Sequence, residues 1–353
     1  MSVNWGVIGA GGIADRRTIP EGIVPADNSK LVAVMDVKSD IVERVARKYN
    51  VGKFYTKEED LVKDGNVEAV YIASPNYLHR KHVEMAAKAG KHVLCEKPLA
   101  LNVEDCRKIV RICRRIRIKL MVGFMMRFHS CHQKARELIA EGMIGQPVMS
   151  RAQLTCWYPP IEDAWRQDPK LGGGGTLIDM GIHCIDLLRM FFGEVSHVTA
   201  FTNTITHAYP VEDTATTILR FRSGAHGIVD NYFNIPDAAA QNFLELYGTK
   251  GCILAKGTIG QSSSGKLTVY TSEAAKGYEA AQTRAQTGMR IEDIEPPVQN
   301  IYRAEIEHFA DCILKDLEPI NSGEEATKNQ QVVCAAYESA KTGRVVHLRR
   351  SSG

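Results

Sequence analysis

The chain has 353 residues, 44% of them hydrophobic and 24% charged, with 44 Lys and Arg against 41 Asp and Glu. That length suits two domains with a core large enough to need no disulfide or metal staple, and the composition excludes a disordered chain. A net charge of +3 is too slight to argue for nucleic acid or an anionic membrane surface, and no apolar run approaches the roughly 18 residues of a bilayer span.

Met1 to Trp5 enter an apolar run with no basic stretch before it, unlike a signal peptide. The first third then alternates strand and helix patterns. Residues 3–8, 31–36, 67–73, 92–95 and 119–123 read as short apolar strands. Between them, 11–25 (limited by Pro20 and Pro25), 39–49, 79–89 and 104–117 read as helices. Such alternation means a parallel sheet with crossover helices. The pattern changes after about residue 124. Helices at 131–141 and 175–192 precede strands at 196–206, 214–221, 225–232 and 243–247, which follow one another without helices and so form an antiparallel or mixed sheet. The stretch 256–299, rich in Gly, Ser and Ala, is loop-like with some strand. Helices return at 299–315 and 323–342. The expected division is a nucleotide-binding domain over 1–123 and a substrate-binding and oligomerisation domain over 124–353, with C-terminal helix returning to the first. Nine Cys without a C-x-x-C spacing read as reduced thiols of a cytoplasmic protein.

The first strand runs into Gly9-Ala10-Gly11-Gly12-Ile13-Ala14, a G-x-G-x-x-A dinucleotide fingerprint. Gly9 permits the tight turn, Gly11 lets a pyrophosphate approach the backbone, and Ala14 is small enough for helix–strand packing. The following helix start offers free N–H groups to phosphates. Asp36, at the end of the second strand, suits a ribose 2′-OH and repels a 2′-phosphate, which favours NAD; Lys38 is the counter-argument and leaves NADP open. Two further strand ends carry polar clusters, Ser74-Pro75-Asn76 with His79, and Glu96-Lys97-Pro98, and both should border the cofactor. Beyond residue 124, the glycine run 172–175 precedes a helix on which Asp179, His183 and Asp186 share a face. A carboxylate beside an imidazole is a general-base arrangement in which the Asp orients the ring and favours its protonated form. The same spacing suits two metal ligands, but no third donor has a clear claim, so no metal is expected.

These residues resemble the Gfo/Idh/MocA oxidoreductases, the family of glucose–fructose oxidoreductase and inositol dehydrogenase. The resemblance spans nearly the whole chain: residues 9–14, Ser74-Pro75-Asn76 with His79, the stretch 90–98, residues 122–128, Trp165-Arg166, the stretch 173–186, and the ending from Gly323 to Gly343. It implies a Rossmann doubly wound parallel sheet followed by an α/β domain with a large open, mostly antiparallel sheet, through which members pair as dimers or tetramers. It also implies NAD(P)-dependent hydride transfer at a secondary hydroxyl or carbonyl of a sugar, polyol or glycoside. Carried over, Lys97 is the catalytic lysine, His183 the proton donor or acceptor, and Asp179 its substrate-binding partner. Gly9, Gly11, Gly12, Ile13, Asp36, Ser74, Asn76, His79, Glu96 and Lys97 face the cofactor, and Arg127, Trp165 and Arg166 contact cofactor or substrate. Many relatives carry a second Arg where this chain has Met126. The alternatives within the resemblance are an anhydro- or keto-sugar reductase and an NAD-dependent redox-neutral glycosidase. A non-catalytic nucleotide-binding regulator is the alternative from another class.

Overall fold

The computed structural model describes residues 1–272 and 288–349. Its first sheet contains β1 (Val3–Ile8), β2 (Ser29–Met35), β3 (Lys53–Tyr55), β4 (Ala69–Ile72), β5 (His92–Glu96) and β6 (Leu120–Gly123), in the order β3-β2-β1-β4-β5-β6, with every pair parallel. The central strands are covered on both faces, which is why β4 reads as an unbroken apolar run, Ala-Val-Tyr-Ile, with all four residues buried. The crossovers are helical. A ten-residue π-helix, Ala14–Ile23, joins β1 to β2. The others are α1 (Ser39–Lys48), α2 (Glu58–Lys63), α3 (His79–Lys88) and α4 (Val103–Ile116). Asn102 starts α4 by accepting the Asp105 N–H at 2.9 Å, and Arg117 ends it in the left-handed region at φ 63°. Strand order reverses at β1, and Ile8 pairs with both Met35 and Ile72. The three strand ends are therefore level, and the crevice at this switch point opens above them.

The chain then passes through a short 3₁₀ turn, Met125–Phe128, and α5 (Ser130–Ala140) into a nine-stranded sheet. Its strands are β7 (Pro147–Thr155), β8 (Val195–Asn203), β9 (Thr214–Phe221), β10 (His226–Tyr232), β11 (Phe243–Gly248), β12 (Gly251–Lys256), β13 (Lys266–Ser272), β14 (Met289–Ile294) and β15 (Val346–His347). They lie in the order β14-β13-β12-β11-β7-β10-β9-β8-β15. Within this sheet only β7 with β10 is a parallel pair among the described strands. One face of this sheet buries Ala215, Thr217, Leu219 and Phe221 of β9, together with α6 (Ile182–Phe192) and α8 (Gly323–Thr342). The other face carries Phe201, Ile218 and Ile291 exposed. No helix of the described residues is long and apolar enough to cross a membrane.

Two packing devices join these parts. First, α7 (Ile301–Leu314) returns to the first sheet: Ile306, Phe309 and Ala310 share a core with Trp5, Val7, Ile19 and Ile23. The Trp5 and Phe309 ring centroids lie 5.8 Å apart. Second, the Arg127 guanidinium donates from Nε and Nη2 to the two Asp186 oxygens, each at 2.7 Å, and from Nη1 to the Ile320 carbonyl at 3.1 Å. Asn329 of α8 donates to the same carboxylate at 2.6 Å. This buried fork ties the 3₁₀ turn, α6 and α8 together.

Several elements differ from the sequence expectation. The first crossover is π-helical, with Val24 N–H reaching back five residues to Ile19, and it accommodates Pro20. The strands β3 and β7 and the helix α2 fall in stretches where no element was expected. The loop-like stretch contains β13 and β14, and residues 273–287 of it lie outside the described residues.

Truncating Phe309 to Ala removes a ring from a filled core, and we expect a loss of about 3–5 kcal/mol in urea unfolding. Arg127→Met leaves Asp186 buried without its cation and should cost about 3–5 kcal/mol by the same measurement. A loss under about 1 kcal/mol for the second would show that Arg127 does not hold the fold.

Candidate active site

A cleft of about 390 Å³ lies where the carboxyl ends of the first sheet face the start of the helix leading into α6. Its nucleotide-side wall is the loop after β1. The Gly9 and Ala10 N–H groups both donate to the Met35 carbonyl at 2.9 Å, folding the chain sharply back over β2. Gly9 has φ +82°, and a Cβ there would sit 2.8 Å from the Ala73 backbone, so a glycine is required. Gly12, at φ +53°, has open space where a Cβ would project, a cradle into which a phosphate fits. Asp36 accepts the Gly11 N–H at 3.2 Å and the Lys38 N–H at 3.1 Å. Its carboxylate is thus pinned beside the glycine loop, where a ribose hydroxyl would reach it. These residues fit a dinucleotide, and Ile13 and Arg16 continue the wall.

The two neighbouring strand ends are tied to each other. The His79 ring, fully buried, spans the Ser74 carbonyl (2.9 Å from Nε2) and the Pro98 carbonyl (2.7 Å from Nδ1). Burial pushes this imidazole down to about 4, and the two carbonyls oppose the shift. Ser74 Oγ lies 2.9 Å from His82 Nδ1, and Asn76 donates to the Gly172 carbonyl at 3.0 Å. Ser74, Asn76 and His79 all border the cleft, but these polar atoms are engaged in holding its walls. The Lys97–Pro98 bond is cis. Glu96 accepts the Tyr71 hydroxyl at 2.6 Å, and burial pushes its carboxyl up.

Lys97 crosses the cleft. Its ammonium donates to the Asp179 carboxylate at 2.8 Å and to the Asp179 carbonyl at 2.7 Å. That carbonyl is within reach because the helix begins as a π-turn, Leu177–Gly181, in which the Ile182 N–H bonds back to Leu177. Burial pushes Asp179 up, but the Lys97 ammonium and the Arg166 guanidinium outweigh it and hold the carboxyl well below the usual range. Arg166 Nε is 3.6 Å from that carboxylate, and its guanidinium stacks 4.2 Å over the Trp165 ring.

His183 lies on the same wall, edge-on to Phe124 at 5.9 Å. The expected hydrogen-bonded Asp179–His183 pair does not form. Asp179 is engaged by Lys97, and His183 Nδ1 is buried without a hydrogen-bond partner among the described residues. The expected protonation is also reversed: burial pushes this imidazole down to about 3, Lys97 adds to the shift, and Asp179 only opposes it. The ring is neutral at neutral pH. The physical reason is that Lys97 holds the Asp179 carboxylate, while burial of the ring disfavours its charged form.

Arg127 is a second correction. Both faces of its fork are taken by Asp186, it is 7% exposed, and it does not line the cleft. Asp186 likewise faces Arg127 rather than His183. Sequence reasoning missed Arg16 and Gln261 on the nucleotide side, and Tyr302 of α7 also lines the cleft. The basic pair after the fingerprint was the available signal for the first, since Arg17 donates to Gln261 at 3.2 Å.

Comparison with known proteins agrees with this architecture. Residues 3–124 match the profile described as an oxidoreductase family with an NAD-binding Rossmann fold, and residues 132–254 match the GFO/IDH/MocA C-terminal domain. A 1,5-anhydro-D-fructose reductase from Ensifer adhaerens is 29% identical over 98% of both chains. A myo-inositol 2-dehydrogenase from Thermotoga maritima is 36% identical over 71% of this chain and 74% of its own. The crystal structure of an aldose–aldose oxidoreductase from Caulobacter crescentus, complexed with glycerol, superposes with a TM-score of 0.87 at 27% identity, covering 99% of this chain and 100% of that one. A fingerprint at the switch point, a lysine bridging to the turn that leads into α6 and matching profiles on both halves lead to one conclusion: this chain belongs to the GFO/IDH/MocA family of NAD(P)-dependent oxidoreductases.

Proposed function

We propose that the protein transfers hydride between NAD and a secondary carbinol carbon of a sugar or polyol, with Lys97, Asp179 and His183 at the reacting end of the cleft. The observation that carries this reading is the Lys97 ammonium held by two Asp179 oxygens beside a neutral His183. When bound, NAD supplies the hydride acceptor. An ammonium has three N–H donors. Two are taken by Asp179, and the third serves the substrate oxygen. His183, neutral, accepts the hydroxyl proton, and Asp179 nearby favours the imidazolium that results. Lys97 stabilises the negative charge that develops on the substrate oxygen. Trp165, Arg166 and Tyr158 border the place where the rest of a sugar would lie.

Gly9, Gly11, Gly12, Ile13 and Asp36 hold the dinucleotide in this reading, and Ser74, Asn76, His79 and Glu96 shape the wall beneath it. Residues 1–123 form the nucleotide unit and 124–353 the substrate unit. Copies of the chain pair through the outward face of the second sheet, a reading supported by exposed Phe201, Ile218 and Ile291. Nine cysteines without a disulfide among them support a cytoplasmic setting. The reverse reaction, reduction of a keto- or anhydro-sugar, uses the same groups, and the end-to-end likeness to an anhydro-sugar reductase supports it.

The test is NADH formation at 340 nm with inositols, aldoses and glycosides, and NADH consumption with keto- and anhydro-sugars. Lys97→Ala and His183→Ala should each lower kcat by about 10²–10⁴-fold; wild-type kcat in either variant removes that residue from the mechanism. The pH profile of alcohol oxidation is a separate check. The proton-accepting form of His183 is lost only as pH falls through about 3, so kcat/KM should show no acid limb near the ordinary histidine value of 6.5. A limb there that disappears in His183→Asn would overturn the assignment. Asp36→Ser should raise the preference for NADP over NAD by about tenfold or more, read as the ratio of kcat/KM values.

A further inference from the structure

The helix that carries Asp179 and His183 has no cap of its own. Thr176, of the residue type that usually caps, makes no capping bond, and its Oγ1 is buried without a partner among the described residues. The cap comes from 35 residues further along the chain. Three consecutive N–H groups converge on Glu212: Gly175 N on Oε2 at 2.8 Å, Thr176 N on the carbonyl oxygen at 3.1 Å, and Leu177 N on Oε1 at 3.0 Å. Tyr337 of α8 donates its hydroxyl to the same Oε1 at 2.7 Å. Glycine is required here by contact: a Cβ on Gly175 would overlap the Glu212 carbonyl, and one on Gly174 would overlap the Tyr337 hydroxyl. Glu212 is itself fixed by its neighbour. The Asp213 carboxylate accepts the N–H groups of Ile205, Thr206 and His207 at 2.8–2.9 Å.

We infer that Glu212, oriented by Tyr337, is a positioning residue that sets the register of this first turn, and thereby holds both Asp179 oxygens against Lys97. The inference rests on the reading of the Lys97–Asp179 pair given above. At the other end of the π-turn, Asn231 Oδ1 lies 2.6 Å from where a Gly181 Cβ would be, which blocks any other residue there. The turn is thus bounded by the Glu212 cap at one end and packed against Asn231 at the other. Without the cap, its leading N–H groups lose three acceptors, and the turn can relax toward an α-helical register. That relaxation draws the Asp179 carbonyl into a main-chain bond and away from Lys97.

The test uses full-length protein and needs no identified substrate. Lysine acylation by sulfo-N-hydroxysuccinimide acetate is timed by peptide mass spectrometry at Lys97 and at Lys91. Lys91 is a control in the first sheet, also tied to two oxygens, the carbonyls of Asp64 and Val67. In Glu212→Ala, Lys97 should acylate about 2- to 30-fold faster, the size of one lost helix cap, with Lys91 unchanged. NADH affinity, read by fluorescence, should stay within about twofold, because the glycine loop is untouched. Glu212→Gln, which keeps an acceptor oxygen, should restore most of the protection, and Tyr337→Phe should give a smaller increase. If Glu212→Ala does not fold, Glu212→Gln and Tyr337→Phe decide by the same readout. Equal acceleration at Lys97 and Lys91 means general loosening and overturns the inference, as does no change at either. Asp179→Asn separates the two levels. If it fails to expose Lys97, the reading of the pair is wrong and the inference falls with it. If it exposes Lys97 while Glu212→Ala does not, only the inference falls.

Discussion

One ammonium group joins the first sheet to the helical turn that leads into α6, across the cleft. Lys97 stands at the end of β5, and both oxygens it binds belong to Asp179 of the second unit. The side chains are only 14% and 23% exposed, so much of their hydration is lost. Desolvating such ions costs several kcal/mol each unless the geometry is good. Two short, charge-assisted bonds to one residue meet that requirement, and they set the charges of everything around them. The same cation keeps Asp179 ionised and adds to the neutrality of His183. Glu96, deeper in the wall and bonded to Tyr71, is pushed the other way by burial. Neighbouring titratable groups driven apart in this manner are the means by which one cleft offers both a proton acceptor and a fixed cation.

The segment that meets the constraint is locally unfavourable. Gly172 to Gly175 in succession carry the largest backbone entropy cost of any residue type, the helix opens in a π-turn, and its nominal cap residue caps nothing. Tertiary contacts offset all three. Glu212 takes the leading N–H groups, Tyr337 packs where Gly174 leaves room, and Asn231 fills the space beside Gly181. Local rules broken together at one place, and compensated from three distant elements, are the pattern expected of a site rather than of a core.

The same distinction explains what could be read from the sequence. Strands buried on both faces appear as apolar runs, so β1, β4 and β6 were visible. The helix 323–342 and the strand 214–221 carry clear periods and caps, and the structure has them at those residues. A three-residue strand and a six-residue helix are too short to show a period, which hid β3 and α2. The side chains were harder. Arg127 was expected to contact cofactor or substrate through the family resemblance alone. Its partner Asp186 is 59 residues away, and nothing in the spacing says that the pair is buried. Asp179 and His183 were placed on one face and do line the same cleft, but nothing in their spacing says that Lys97, 82 residues away, takes the carboxylate. Glu212 carries no local signal, since its role exists only once three separated segments meet.

The neutral His183 gains meaning from the way these charges are coupled. An imidazole held down to about 3 is a weak base in the resting cleft. Burial sets most of that shift, and the nearby Lys97 charge adds to it, while Asp179 pulls the other way. In the proposed reaction, negative charge grows on the substrate oxygen as hydride departs, and Lys97 turns part of its field toward that oxygen. The repulsion that Lys97 exerts on a proton at His183 then weakens, and the Asp179 anion, less neutralised, favours the imidazolium more strongly. Basicity at His183 therefore rises with progress along the reaction instead of being present beforehand. This places the stabilisation in the transition state rather than the ground state, which is where an interaction must act to raise kcat. It also makes the Lys97–Asp179 distance the quantity on which the chemistry depends, because that distance decides how much of each charge the histidine feels.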